Sequence, residues 1–209
     1  ALIEANTQDT LYLFAANGEA ASLPVYQLPQ AREFGVGTHW AELTRFTRRN
    51  TIVAAVALPN DLTDGYLFLA TVGGVLKRIR VEDLPGLVEE TFVVMNVPDD
   101  DSLGWVRQTN GEDELDLVTA MGQALRMAET QVRAMGLPAG GVGGIKLSSV
   151  EDGVVMVDLV QSAGYLWCVT DDGLAKGTPF EEYPTQGRNG KGVVNMRLPK
   201  SSAEVVTAV

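Results

Sequence analysis

The sequence predicts an all-β chain in which one hairpin-led unit recurs four times. Three observations carry this. Gly18, Gly74, Gly122 and Gly173 each end a short turn between two strand-like runs, at intervals of 56, 48 and 51 residues. Glycine is abundant, 22 in 209 residues, as many tight turns require. No stretch spaces its apolar residues by three and four over three turns, so no long amphipathic helix is expected.

The units run over 7–58, 65–109, 114–160 and 164–209. Each opens on a hairpin signal, in LYLFAANGEA, YLFLATVGGVLKR, LDLVTAMGQALR and YLWCVTDDGLAK. Eleven residues beyond the turn glycine stands Pro29, Pro85 or Pro184, with Arg133 in the third unit. Nineteen residues beyond it stands Gly37, Gly141 or Gly192, and six further on Leu43, Leu147 or Leu198. The second unit is two residues shorter and has Thr91 and Val97 at these places. A third strand is predicted in THWAELTRF, FVVMNV, GGIKL and VVNMRL, and a fourth in TIVAAVAL, GWVRQ, GVVMVDLV and AEVVTAV. About four blades of four antiparallel strands, in units near 50 residues, is a propeller-like signature.

The formal net charge is -11, yet residues 61–120 alone hold 13 acids and 4 bases. The acidity is therefore local, and the remaining surface is free to be cationic. No apolar run is long enough to span a membrane. ALIEANTQDT has neither the basic nor the apolar region of a signal peptide. One cysteine, Cys168, permits no internal disulfide and suits a reducing cytoplasm; its apolar setting makes it a small buried hydrophobe.

LIEANTQDTLYLFAANGEAASLPVYQLPQA resembles the second blade of the C-terminal domain of DNA gyrase A, TQVRAMGLPAGGVGGIKL a later blade, and EEYPTQGRNGKGVVNMRL the one after it. The tail of the corresponding topoisomerase IV polypeptide is a close relative. The resemblance covers essentially the whole chain. It implies a single β-pinwheel domain, or a fragment of one, over 1–209, a propeller-like disc whose blades exchange strands. It further implies a rim that binds, bends and wraps duplex DNA in support of negative supercoiling. The implied partners are double-stranded DNA, the remaining domains of gyrase A, and gyrase B; the implied setting is the bacterial cytoplasm and nucleoid. Catalysis and cofactors belong to other domains of such an enzyme, so none is expected here. Two features depart from the family: four units are visible where six are usual, and the first blade, where its wrapping box normally sits, is missing, so that the sequence reads as beginning at the second. QGRNGKG, 186–192, matches five of the seven box positions but lies in the fourth unit.

Phosphate binding calls for cations that recur once or more per blade. Three registers supply them. Just after the turn glycine stand Lys77, Arg78, Arg126 and Lys176. In the glycine loop stand Arg32, Arg133, Arg188 and Lys191. Before the strand-three leucine stand Lys146 and Arg197. Units three and four are positive in all three registers, whereas the second unit's loop, GLVEETFVVMNVPDDD, is acidic. Arg45, Arg48 and Arg49 fit a DNA contact or a contact with another domain. An alternative function is protein docking through the acidic stretch 82–116. No catalytic motif is visible. His39 reads as structural, and Trp40, Trp105 and Trp167 read as core residues in apolar strands.

Overall fold

A computed structural model describes residues 2–31, 36–161, 163–198 and 203–209. Among them lie fifteen strands and five single turns of 3-10 helix. The first unit holds β1 (Thr10–Ala15), β2 (Glu19–Pro24) and β3 (Ile52–Leu58). The second holds β4 (Tyr66–Thr71), β5 (Val75–Arg80), β6 (Phe92–Val93) and β7 (Leu103–Thr109). The third holds β8 (Glu114–Thr119), β9 (Gln123–Ala128), β10 (Val142–Gly143) and β11 (Val154–Leu159). The fourth holds β12 (Tyr165–Thr170), β13 (Ala175–Pro179), β14 (Val193–Val194) and β15 (Val205–Ala208).

The sheets do not follow unit boundaries. Their orders are β3-β1-β2-β6, β10-β5-β4-β7, β11-β8-β9-β14 and β13-β12-β15. Each unit from the second onward lends its short third strand to the hairpin before it. The register is the same every time. Glu19 and Ala20 pair with Val93 and Phe92; Val75 and Leu76 with Gly143 and Val142; Gln123 and Ala124 with Val194 and Val193. This is the expected pinwheel exchange.

Strand alternation explains where the core lies. Successive side chains point to opposite faces, and both faces of the inner sheets are covered. Leu67 and Leu69 pack back onto Tyr12 and Phe14 of the first unit. Phe68 points forward onto Leu115, Leu117 and Leu125 of the third. Leu166 and Cys168 pack back onto Val118 and Met156. The apolar cores are therefore seams between sheets. The outer strands meet in sequence, β3 with β7, β7 with β11 and β11 with β15, and among the described residues no comparable contact joins β15 to β3.

Two expectations fail. THWAELTRF is not a strand: Trp40–Glu42 forms a 3-10 turn. His39 caps it, its Nδ1 accepting the Ala41 N–H at 3.2 Å, and Trp40 packs on the cluster of Ala15, Ala21 and Phe46. The segment folds onto the hairpin of its own unit. Trp167 is not core either. It is 50 % exposed, with no sheet in front of its face of β12 among the described residues.

Candidate nucleic-acid interface

Three of the predicted cations are structural. Lys77 is fully buried, and its Nζ donates to the Val94 carbonyl oxygen at 2.6 Å. Burial pulls its pKa down to about 8. Arg78 lies over the Tyr66 ring, 4.3 Å from its centre, and faces the buried Glu129 carboxylate at 3.4 Å. Glu129 also accepts from the Thr109 hydroxyl at 2.7 Å and the Gly111 N–H at 2.6 Å. Arg126 pairs with Glu114 and donates to the Phe180 carbonyl at 3.0 Å. The Thr185 hydroxyl, then Arg126, hold the Glu114 carboxyl below its usual pKa. Arg78 and Arg126 fasten one unit to the next, Lys77 holds the segment after its own unit's lent strand, and none of the three is available to phosphate. A sequence signal existed: at the Lys77 register units one and three carry Ala21 and Leu125, and unit four Lys176, so two of the four copies mark an inward position.

Lys176 is exposed but also engaged, donating to the Asn195 carbonyl oxygen at 2.5 Å. Arg32 lies outside the described residues. Arg133, Lys146, Arg188, Lys191 and Arg197 are exposed, and no carboxylate among the described residues lies within ion-pairing distance of them.

Lys146, Arg188 and Lys191 are brought together by one clamp. The loop around Gly187–Gly190 of unit four folds over the segment that follows β10. The Lys146 N–H donates to the Gly190 carbonyl at 2.8 Å, and the Asn189 N–H donates to the Gly144 carbonyl. The Arg188 guanidinium donates to the Gly143 carbonyl at 3.3 Å. Gln131 steadies the loop from below: its Oε1 accepts the Arg188 N–H at 2.7 Å and its Nε2 donates to the Gln186 carbonyl at 2.9 Å. Sequence reasoning misses Gln131. Its register holds Gln27, Asp83 and Glu182 in the other units, a recurrence of polar side chains that is the available signal. Asn189 sits at φ 61, a conformation that asparagine tolerates better than most residues. The Arg188 and Asn189 N–H groups thus face the neighbouring unit. The loop presents side-chain cations rather than a main-chain anion nest.

The acidic stretch is less free than its composition suggests. Asp101 accepts the Gly73 and Ser102 N–H groups at 2.7 Å. Asp113 accepts the Asn110 N–H at 2.8 Å, Glu114 holds Arg126, and Asp116 is buried. Glu89 and Glu90 lie 3.9 and 3.8 Å from Arg45, and Arg48 pairs with Glu42 at 2.8 Å. Two members of the arginine cluster are therefore already met by carboxylates.

Comparison with known proteins settles the lineage. The family described as DNA gyrase C-terminal domain, beta-propeller, matches at residues 65–87 and 164–209. The DNA gyrase A of Salmonella typhimurium is 33% identical over 100% of this chain, and that of Haemophilus influenzae 32% identical over 99%. The chain belongs to the DNA gyrase C-terminal domain family. It spans 24% and 27% of the length of those two relatives, about a quarter. A solved C-terminal domain of DNA topoisomerase IV superposes with a TM-score of 0.90 at 30% identity, covering 100% of this chain and 65% of that one. Among the described residues no group of three or more side chains could hold a metal ion, and no helix is long and apolar enough to cross a membrane.

Proposed function

We propose that this chain binds and bends duplex DNA along the rim of units three and four, as the C-terminal part of the gyrase A component of an ATP-dependent type IIA topoisomerase. There it supports wrapping and negative supercoiling beside the rest of gyrase A and its gyrase B partner, in the bacterial cytoplasm. The observation that carries this reading is the clamp. It holds Lys146, Arg188 and Lys191 on one exposed site, with no acid beside them among the described residues. Arg133 and Arg197 extend the cationic surface within the same two units. The contacts are to phosphate, so binding tolerates any sequence and weakens steeply with salt. The chemical steps of such an enzyme lie in its other domains.

The test is affinity for a duplex of roughly 40 base pairs across a salt series, for the parent chain and for Lys146→Ala/Arg188→Ala/Lys191→Ala. Each lost phosphate contact lowers the slope of log K against log salt by about 0.9. A slope that the triple variant leaves unchanged rejects the rim.

A further inference from the structure

The glycine loops of units three and four begin to cross the preceding unit in the same way. The Met135 N–H donates to the Arg78 carbonyl and the Gln186 N–H to the Arg126 carbonyl, both at 2.8 Å. Met135 and Gln186 each stand thirteen residues beyond their turn glycine, so the two contacts share one register. Two residues further on the loops part. Unit three has Leu137 there, half-buried and packed on the core cluster of units one and two. Unit four has Arg188, which is exposed. A loop that presents a cation at this post gives up the apolar anchor that its neighbour keeps.

Gln131 stands in for that anchor. It closes the single 3-10 turn Glu129–Gln131 that follows β9. Its side-chain amide takes the main-chain groups on either side of Gly187. Oε1 accepts the Arg188 N–H at 2.7 Å, and Nε2 donates to the Gln186 carbonyl at 2.9 Å. The pair calls for an acceptor and a donor on one side chain, which a carboxylate cannot provide. At this register unit two has Asp83, and the loop that crosses unit two carries Leu137 instead.

The rest of the fit is cut to the same loop. A methyl group on Gly143 would stand 3.2 Å from Asn189 Oδ1. The other lent strands have Val93 and Val194 at that place. Gly187, Gly190 and Gly192 leave the loop little order of its own, so its shape is imposed from unit three.

We propose that Gln131 is a positioning residue for the DNA contact, given that phosphate binds on the rim of units three and four. It touches no phosphate itself. It fixes Gly187 from both sides, so that Arg188 and Lys191 are held beside Lys146 before DNA arrives. The cost of ordering a glycine-rich loop is then met on folding rather than on binding.

Gln131→Met keeps the length of the side chain and removes both hydrogen bonds. Binding of a duplex of roughly 40 base pairs by the whole chain is expected to weaken about three- to tenfold at fixed salt. The slope of log K against log salt is expected to stay that of the parent, because no cation is lost. Hydrogen exchange at the Lys146 and Asn189 amides, which donate across the clamp, is expected to quicken while that of β8 and β9 stays slow. In Lys146→Ala/Arg188→Ala/Lys191→Ala the same change is expected to have no further effect on affinity, since the cations it positions are gone. An equal loss in both backgrounds overturns the proposal. So does parental affinity in Gln131→Met while the triple variant lowers the slope, and the rim then stands without its positioner. A triple variant that keeps the parental slope rejects the rim, and this role of Gln131 with it.

Discussion

Lys77 and Lys176 hold the same post in different units. Each ammonium donates to the main-chain oxygen just past its own unit's lent strand, Val94 at 2.6 Å and Asn195 at 2.5 Å. They differ only in what lies above them. Lys77 is fully buried on the face of β5 that Ile79 turns toward unit one, whereas Lys176 is exposed. Lys77→Ala leaves the Val94 oxygen unmet and a buried space, and is expected to cost about 2–4 kcal/mol. Lys176→Ala, in solvent, is expected to cost about 1 kcal/mol or less. Urea unfolding of the two variants checks the difference. The salt slope of DNA binding should be the same for Lys77→Ala as for the parent.

Asp116 is 1 % exposed and neither carboxylate oxygen has a partner among the described residues. Its register holds Tyr12, Phe68 and Trp167 in the other units. It faces Arg126 and Asp158 across its own sheet, with Cys168 and Tyr183 of unit four nearby. Burial, the largest effect, pushes its pKa up to about 7. An acid whose folded pKa is raised stabilises the fold least when ionised. Stability is therefore highest below the unfolded value near 4 and falls as pH rises to about 7, by on the order of 4 kcal/mol at most. Asp116→Asn is expected to flatten that fall, matching the parent at low pH and exceeding it at pH above about 7. Unfolding midpoints across the pH range measure it.

Gly122 and Gly173 share a left-handed backbone, φ 75 and φ 89, but only Gly122 lies under a crossing strand. Alanine at Gly173 is expected to cost about 1–2 kcal/mol, from the backbone alone. At Gly122 the new methyl also meets the Met196 oxygen, so the cost should be clearly larger. Equal costs in thermal unfolding would mean that the lent strand bears little on the turn.

Arg188 carries its guanidinium to the Gly143 carbonyl, whereas Lys191 is held by no such bond among the described residues. Arg188→Ala is therefore expected to lower DNA affinity and also to loosen the loop by a few tenths to about 1 kcal/mol. Lys191→Ala should lower affinity at low salt with no change in stability. Paired salt titrations and unfolding curves separate the two.

What can be read from the sequence is mainly local. The four hairpins follow from glycines that must adopt positive φ, and β3, β7, β11 and β15 from apolar runs of strand length. Spacing places the third strands but hides their true lengths, since only two residues of each meet the preceding hairpin. THWAELTRF has the composition of a strand, yet His39 and Trp40 turn it back onto Phe46. The site is legible in residue type and less so in exposure. Lys77 and Lys146 look alike in sequence, and only the seam decides that one is sealed in and the other presented. Trp167 is the converse, an apolar strand residue in solvent, with no sheet facing it among the described residues.

The offset between sequence repeat and sheet has a consequence for ancestry. Each repeat from the second onward carries an acceptor hairpin and the donor for the hairpin before it. A tandem duplication in the gene therefore adds one of each, already in register, and a clean loss removes one of each. Relatives can gain or shed whole blades while inheriting the same joint at every junction.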